Sequence, residues 1–121
     1  CVKTVAGFMN GNGGILYIGV ADNGEITGLE VEIGKKGIYK SLDIYTNDIK
    51  NILVRRIGRA SMNNIEFTPI VIRGKQILLI ECEQSEHQVY VDKNDTYLRV
   101  GPSTEKLEGH DLVIFSKERF K

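Results

Sequence analysis

VKTVAGFMNGNGGILYIGV, residues 2–20, holds a helix, a glycine turn and a strand in direct succession. Val2, Val5, Ala6 and Met9 recur at i, i+3, i+4 and i+7, which puts them on one face of a helix ending near Asn10. Asn10-Gly11-Asn12-Gly13-Gly14 breaks that pattern and reads as a loop. Residues 15–20, ILYIGV, are a nearly continuous apolar run of strand length, as expected of a strand buried on both faces. The order decides what the glycines can do. In a Walker A loop or a dinucleotide fingerprint the glycines follow a strand and open a helix, whose N-terminal amides receive the phosphate. Here they follow a helix and enter a strand, and no Gly-Lys-Ser or Gly-Lys-Thr comes after them. Asn10, Gly13 and Gly14 are therefore expected to build a helix C-cap and turn, with glycine supplying positive φ. ATP binding is the weaker reading of this loop, and no cofactor is expected.

Outward from this stretch, Asp22-Asn23-Gly24-Glu25 is a tight-turn signal, and residues 26–29 read as the returning strand of a hairpin. A loop over residues 32–40 leads to a second helix near residues 43–57, with Ile49, Leu53 and Ile57 as its apolar stripe and Ile52 at the edge. Residues 65–73 and 76–83 are strand candidates joined at Gly74-Lys75, and residues 88–91 and 96–100 are a shorter pair across residues 92–95. Ser103-Thr104 precedes a last helix over about residues 109–120, from which Leu112, Phe115 and Phe120 can pack inward. The pattern predicts an α/β (α+β) fold: a single domain, residues 1–121, with helices packed on a mixed sheet.

A length of 121 residues suits one core and leaves no room for a second. No apolar run approaches the roughly 18 residues a membrane helix needs. Two cysteines, Cys1 and Cys82, make neither a disulfide framework nor a zinc-ligand spacing. Cys82 precedes His87 closely, yet further ligands for a metal are not in view. A buried, reduced thiol is expected, consistent with a cytoplasmic setting without membrane contact. The chain opens inside a helical pattern with no cap before it, so it is expected to be a piece of a longer protein with fused domains.

With 16 Lys plus Arg against 16 Asp plus Glu, the formal net charge is zero, which argues against a uniformly basic nucleic-acid binder. Along the chain the zero is a cancellation. Acidic blocks at residues 22–32 and 81–95 offset basic stretches at residues 35–40 and 50–59. Asp22, Glu25, Glu30 and Glu32 could supply a metal-binding or proton-moving carboxylate, but Asp-Asn-Gly is also a favoured turn whose Asp satisfies local amides. His87 and His110 have no Ser or Cys partner motif, so no nucleophilic triad is assembled. The basic residues are better organised. At 100° per residue Asn51, Arg55 and Arg59 fall on one helical stripe opposite Leu53 and Ile57, with Lys50 and Arg56 close by. Arginine and asparagine on an exposed helix face suit phosphate and base-edge contacts, whereas cations in a last helical turn also complement the macrodipole. Lys35, Lys36 and Lys40 form a second basic patch, and Tyr97-Leu98-Arg99 sets an aromatic beside an arginine near a strand end.

Thr4-Val5-Ala6-Gly7-Phe8-Met9-Asn10, Gly13-Gly14-Ile15-Leu16-Tyr17-Ile18-Gly19-Val20 and Asp22-Asn23-Gly24-Glu25-Ile26-Thr27-Gly28-Leu29 together resemble the Schlafen-type AlbA-like domain family. Val89-Tyr90 and Tyr97-Leu98-Arg99-Val100-Gly101-Pro102-Ser103-Thr104 look like the closing strand pair and ending of that family, with Gln88 where many members carry Pro. The family, earlier catalogued as a divergent AAA domain, implies a DNA- or RNA-binding module fused to other domains in bacterial or archaeal regulatory or defence proteins. In Schlafen proteins the related fold is an RNA endonuclease with three carboxylates. Asp22 looks like the counterpart of one, and the segment that carries the other two lies upstream of the first helix, outside this sequence. Three functions follow as expectations. The first is nucleic-acid binding through Lys50, Asn51, Arg55, Arg56, Arg59 and Arg99, losing roughly 10³ in affinity from 50 to 200 mM salt if about six phosphates are neutralised. The second is a share in a metal-dependent nuclease. The third is an oligomerisation module, possible as a homo-oligomer, in a transcriptional regulator.

Overall fold

The computed structural model describes residues 1–19, 42–72 and 74–120. Its centre is set by the stripe with which the sequence begins. Helix α1, Val2–Asn10, buries Val2, Val5, Ala6 and Met9, the four positions the periodicity predicts. Helix α2, Leu42–Ile57, turns Tyr45, Leu53 and Ile57 into the same core, with Ile49 and Ile52 packed at its margin. Burial of each such side chain stabilises the fold by about 1.5–3 kcal/mol.

A 3₁₀ helix, Arg59–Asn64, follows α2 and feeds strand β2, Ile65–Ile72. Strand β3, Lys75–Cys82, returns beside it and is flanked on its other side by β1, Gly14–Ile18, giving the order β1-β3-β2. Leu78, Ile80 and Cys82 of the centre strand enter the core under α1 and α2, and Ile77, on the other face, is also buried. Pro69 lies on β2, at the edge of the described sheet, where a missing N–H does not interrupt a ladder. All described pairings are antiparallel, so the mixed sheet expected from the sequence is antiparallel throughout the described residues. That explains a second difference. Strand β1 is not buried on both faces: Leu16 and Ile18 pack inward, while Ile15 and Tyr17 remain 41% and 48% exposed, as an antiparallel sheet allows. The expected returning strand over residues 26–29 lies outside the described residues.

The glycine loop is the predicted cap and turn. Gly11 donates to the carbonyls of Gly7 and Phe8, and Gly13 donates to Phe8 O at 2.8 Å. The positive φ falls on Gly13, at 82°, rather than on the capping residue Gly11. A Cβ at Gly14 would lie 2.5 Å from the Phe8 ring. Glycine is required there for close approach.

The closing elements differ from the expected ones. Strand β4, Thr96–Val100, pairs with β5, Ser103–Leu107, around Gly101-Pro102. Residues 88–91 make no strand with β4; one isolated bridge, Val91 to Asp95, is all that forms. The cause is Asn10. Continuing the bridge would pair Tyr90 with Thr96 and then Val89 with Tyr97, and the fully buried Asn10 carboxamide occupies that second gap. Its Nδ2 donates to Val89 O at 3.0 Å and Tyr97 O at 2.9 Å, and its Oδ1 accepts from Val89 N at 2.8 Å. Helix α3, Gly109–Arg119, is the last element among the described residues. Its Leu112, Phe115 and Phe120 are only half-buried, and it is held by polar contacts: Ser116 Oγ donates to Gln88 Oε1 at 2.7 Å, and Arg119 Nη2 donates to Ser85 O at 2.8 Å.

Candidate nucleic-acid interface

The C-terminal end of α2 gathers cations because the helix dipole favours them there, and Arg55 and Arg56 occupy its last turn. Gly58, at φ 93°, stops the helix and donates to Val54 O at 3.1 Å. This break redistributes the predicted stripe. Asn51 and Arg55 stay exposed on α2, opposite the buried Leu53 and Ile57. Arg59 is also exposed, but it begins the 3₁₀ helix rather than continuing the α2 face.

Arg56 is spoken for. Its Nε donates to Asp92 Oδ1 at 3.0 Å and its Nη2 to Asp92 Oδ2 at 2.8 Å, a two-pronged pair. The backbones close the same contact, since Asp92 N donates to Arg56 O at 2.8 Å. The Arg56 guanidinium, first through its hydrogen bonds, holds the Asp92 carboxyl below the usual aspartate range. This tie secures a strained turn. Asp92 and Lys93 have φ of 55° and 71°, and they are the described non-glycine residues with positive φ. Between that turn and α2 runs a groove of about 370 Å³, lined by Arg55, Arg56, Ser61, Gln88, Tyr90 and Lys93, among others. Tyr90 leaves 43% of its surface exposed at this groove.

Of the residues expected from the sequence, the structure brings Arg55 and Arg56 to this groove. Lys50 lies on α2 with its Nζ 5.2 Å from the centre of the Phe67 ring. Arg99 lies on β4, donates to Thr104 Oγ1 at 2.8 Å and sits over the Phe8 ring at 5.4 Å. It belongs to the α1–β4–β5 face and does not line the groove. Asp22 and the patch of Lys35, Lys36 and Lys40 fall outside the described residues. Lys93 and Tyr90 line the same groove, a placement the sequence does not anticipate. Residues 92–95 read in the sequence as a bare connection, and the positive φ of Asp92 and Lys93 carries no signal there.

The segment over residues 83–89 has no regular secondary structure, yet it is tied down repeatedly. Glu83 N donates to Asn64 O at 2.8 Å, Ser85 N to Met9 O at 2.8 Å, and Val89 N to Asn10. Ser85 Oγ donates to His87 O at 2.7 Å, and Gln88 is gripped by Thr96 and Ser116. Irregular backbone anchored in this way is a fixed surface rather than a slack linker. Among the described residues there is no group of three His, Cys, Asp or Glu placed to hold a metal, and no helix long and apolar enough to cross a membrane. Cys82 is buried, and burial pushes its thiol up to about 12, which keeps it protonated and inert.

The comparisons agree with this architecture. A crystal structure of the DIP2311 protein from Corynebacterium diphtheriae is similar, with a TM-score of 0.65 and 18% identity over 99% of this chain. At that identity the likeness shows the fold alone, and this chain spans about 21% of the length of that one. No curated protein matches the chain. The family model described as "Schlafen, AlbA_2" matches residues 1–108. The α+β chain with the helix–glycine–strand opening and the Asn10 clamp is a member of the Schlafen AlbA_2 family.

Proposed function

We propose that this domain binds nucleic acid, single-stranded DNA or RNA, along the groove between α2 and the Asp92–Lys93 turn. One observation carries the reading: Arg55 and Lys93, from two separate elements, line the same groove as the exposed ring of Tyr90. A cationic groove with an aromatic platform suits a single strand, because phosphates meet the cations and an unpaired base can stack on the ring. Arg56 acts by fixing Lys93 in place, its own fork being filled by Asp92. Arg59 and Asn51, exposed nearby in sequence, extend the polar surface that a strand could follow. The reading fits a neutral chain: the cations are few and local, so affinity is moderate and depends on their placement.

Fluorescence anisotropy with labelled single- and double-stranded oligonucleotides of DNA and RNA tests it. About three phosphate contacts to a single strand give a log–log salt slope of about −2, or roughly 20-fold weaker binding at 200 than at 50 mM salt. Arg55→Glu with Lys93→Glu is expected to abolish binding, whereas Lys75→Glu with Lys117→Glu, on β3 and α3, serves as a charge-matched control. Absence of binding to every oligonucleotide at low salt overturns the reading. Equal losses in the double variant and the control overturn its location.

A further inference from the structure

Beside the cationic groove lies a second cavity of about 500 Å³, lined by Asn63, Asn64, Glu83, Glu86, His87 and Gln88, with Ser61, Gln88 and Val89 shared between the two. Its volume is within the range of small-molecule pockets, and its chemistry is opposite to that of its neighbour. The groove presents guanidinium and ammonium groups, and the cavity presents carboxylates and carboxamides. Neither Glu83 nor Glu86 enters an ion pair among the described residues. A strand laid across both cavities is therefore oriented by charge. Its phosphates are drawn to Arg55 and Lys93 and repelled by Glu83 and Glu86, so the group directed into the second cavity is a base.

From this juxtaposition we infer that the cavity over residues 60–64 and 83–89 is a base-reading pocket for an unpaired guanine of the bound strand. The inference rests on the nucleic-acid reading above and adds the base. Guanine offers two adjacent donors, N1–H and the N2 amino group, which match the two oxygens of one carboxylate. It also offers O6 and N7 as acceptors, which match the carboxamide N–H groups of Asn63 and Asn64. Adenine and cytosine each present a single amino group and cannot fill both carboxylate oxygens. The walls are held before any ligand arrives. Gln88 donates to Thr96 Oγ1 at 2.9 Å and accepts from Ser116, while the backbones of Glu83, Ser85 and Val89 are pinned to Asn64, Met9 and Asn10. A pinned loop loses little freedom on binding, which lets a base edge be discriminated rather than merely accommodated.

The test compares labelled 12-mers of oligo-U that carry one central G, inosine, A or C, together with unsubstituted oligo-U, by anisotropy with the same chain. The G-containing strand is expected to bind about tenfold or more tightly than the A, C and all-U strands. Inosine, which lacks only the N2 amino donor, is expected to lose most of that advantage. In Glu83→Gln/Glu86→Gln, shown to be folded by circular dichroism, the ratio of G to A affinity is expected to fall towards one. Equal binding of all strands overturns the base pocket and leaves the nucleic-acid reading standing, whereas binding of none overturns both. Competition with GMP separates the sources of the base. Displacement only at concentrations far above those of the G-containing strand supports a base read within a strand. Displacement at equal concentrations overturns that and makes the cavity a free-nucleotide site.

Discussion

Asn10 and Val89 are joined in both directions, the carboxamide of one donating to the carbonyl and accepting from the amide of the other at 3.0 and 2.8 Å. The side chain thus does what a neighbouring strand would do. Its remaining donor reaches Tyr97 O, so one buried residue of α1 ties the loop over residues 83–89 to β4. The two cavities depend on this contact, because the segment that lines both is fixed at its far end by Val89.

Asn10→Ala is expected to strand three buried backbone groups, the N–H and C=O of Val89 and the C=O of Tyr97. Each unsatisfied group costs about 1–3 kcal/mol, partly relieved by water entry, so a net loss of about 3 kcal/mol is expected. Asn10→Asp is expected to be no better, since it replaces a donor aimed at two carbonyls by an acceptor. Urea unfolding with an unchanged m-value reads both.

Gly14→Ala and Gly13→Ala are expected to fail for different reasons. At Gly14 the new methyl meets the Phe8 ring at 2.5 Å, a side chain that can be changed. Phe8→Leu is therefore expected to recover part of the loss, a coupling visible in a double-mutant cycle. At Gly13 the methyl meets Cys82 O at 2.7 Å and φ is 82°, so no side-chain change is expected to rescue it. Each single variant is expected to cost more than about 1 kcal/mol.

Legibility in the sequence followed how local the cause was. The four-residue stripe of α1, the stripe of α2 and the β2–β3 hairpin were readable because periodicity and turn residues sit within a few positions of each other. The same holds for Arg55 at the groove, since helix phase alone placed it opposite Leu53. The strand pairing of residues 88–91 was misread because its determinant, Asn10, lies 79 positions away from Val89. The tie between Arg56 and Asp92 is invisible in the sequence for the same reason: the partner is 36 positions on. Lys93 stayed hidden because a lysine in a turn carries no signal until α2 is folded beside it.

Cys82 gives a pH signature in the alkaline range. Its folded thiol is raised by burial to about 12, whereas an unfolded thiol ionises near its usual ~8.5. Burial of the neutral thiol thus stabilises the fold fully below about pH 8.5, and that contribution is lost as pH rises from there towards 12. Unfolding free energy measured from pH 8 to 10 is expected to fall less in Cys82→Ala than in the parent chain. At neutral pH a thiol reagent is expected to modify the exposed Cys1 promptly and Cys82 only on unfolding.

The Arg56–Asp92 pair sets the opposite, acidic, limit. Asp92 is held below the usual aspartate range by the Arg56 hydrogen bond, so the pair stays ionised while ordinary aspartates protonate. Its contribution is present above the unfolded aspartate pKa, about 3.9, and is lost only as pH falls through the lowered folded value. Carboxyl carbon shifts followed by NMR are expected to show Asp92 titrating below the usual aspartate range. Arg56→Lys, which cannot form the two-pronged contact, is expected to move Asp92 back towards the ordinary range.

Lys93→Gly separates stability from binding. A lysine at φ 71° stores backbone strain that glycine does not, so removing the side chain is expected to relieve part of it. Glycine's greater freedom in the unfolded chain offsets some of the gain, leaving a stabilisation of about 0.5–1 kcal/mol. Loss of the ammonium takes one of the two cations free to meet phosphate in the groove, because Arg56 remains bound to Asp92. Oligonucleotide affinity is expected to drop several-fold at 50 mM salt, and the salt slope to become shallower by about 0.7 for a single strand. A variant that unfolds at a higher temperature yet binds more weakly shows that the strained turn serves the groove rather than the fold. If Lys93→Gly instead binds as the parent chain does, the turn's strain has no part in phosphate contact.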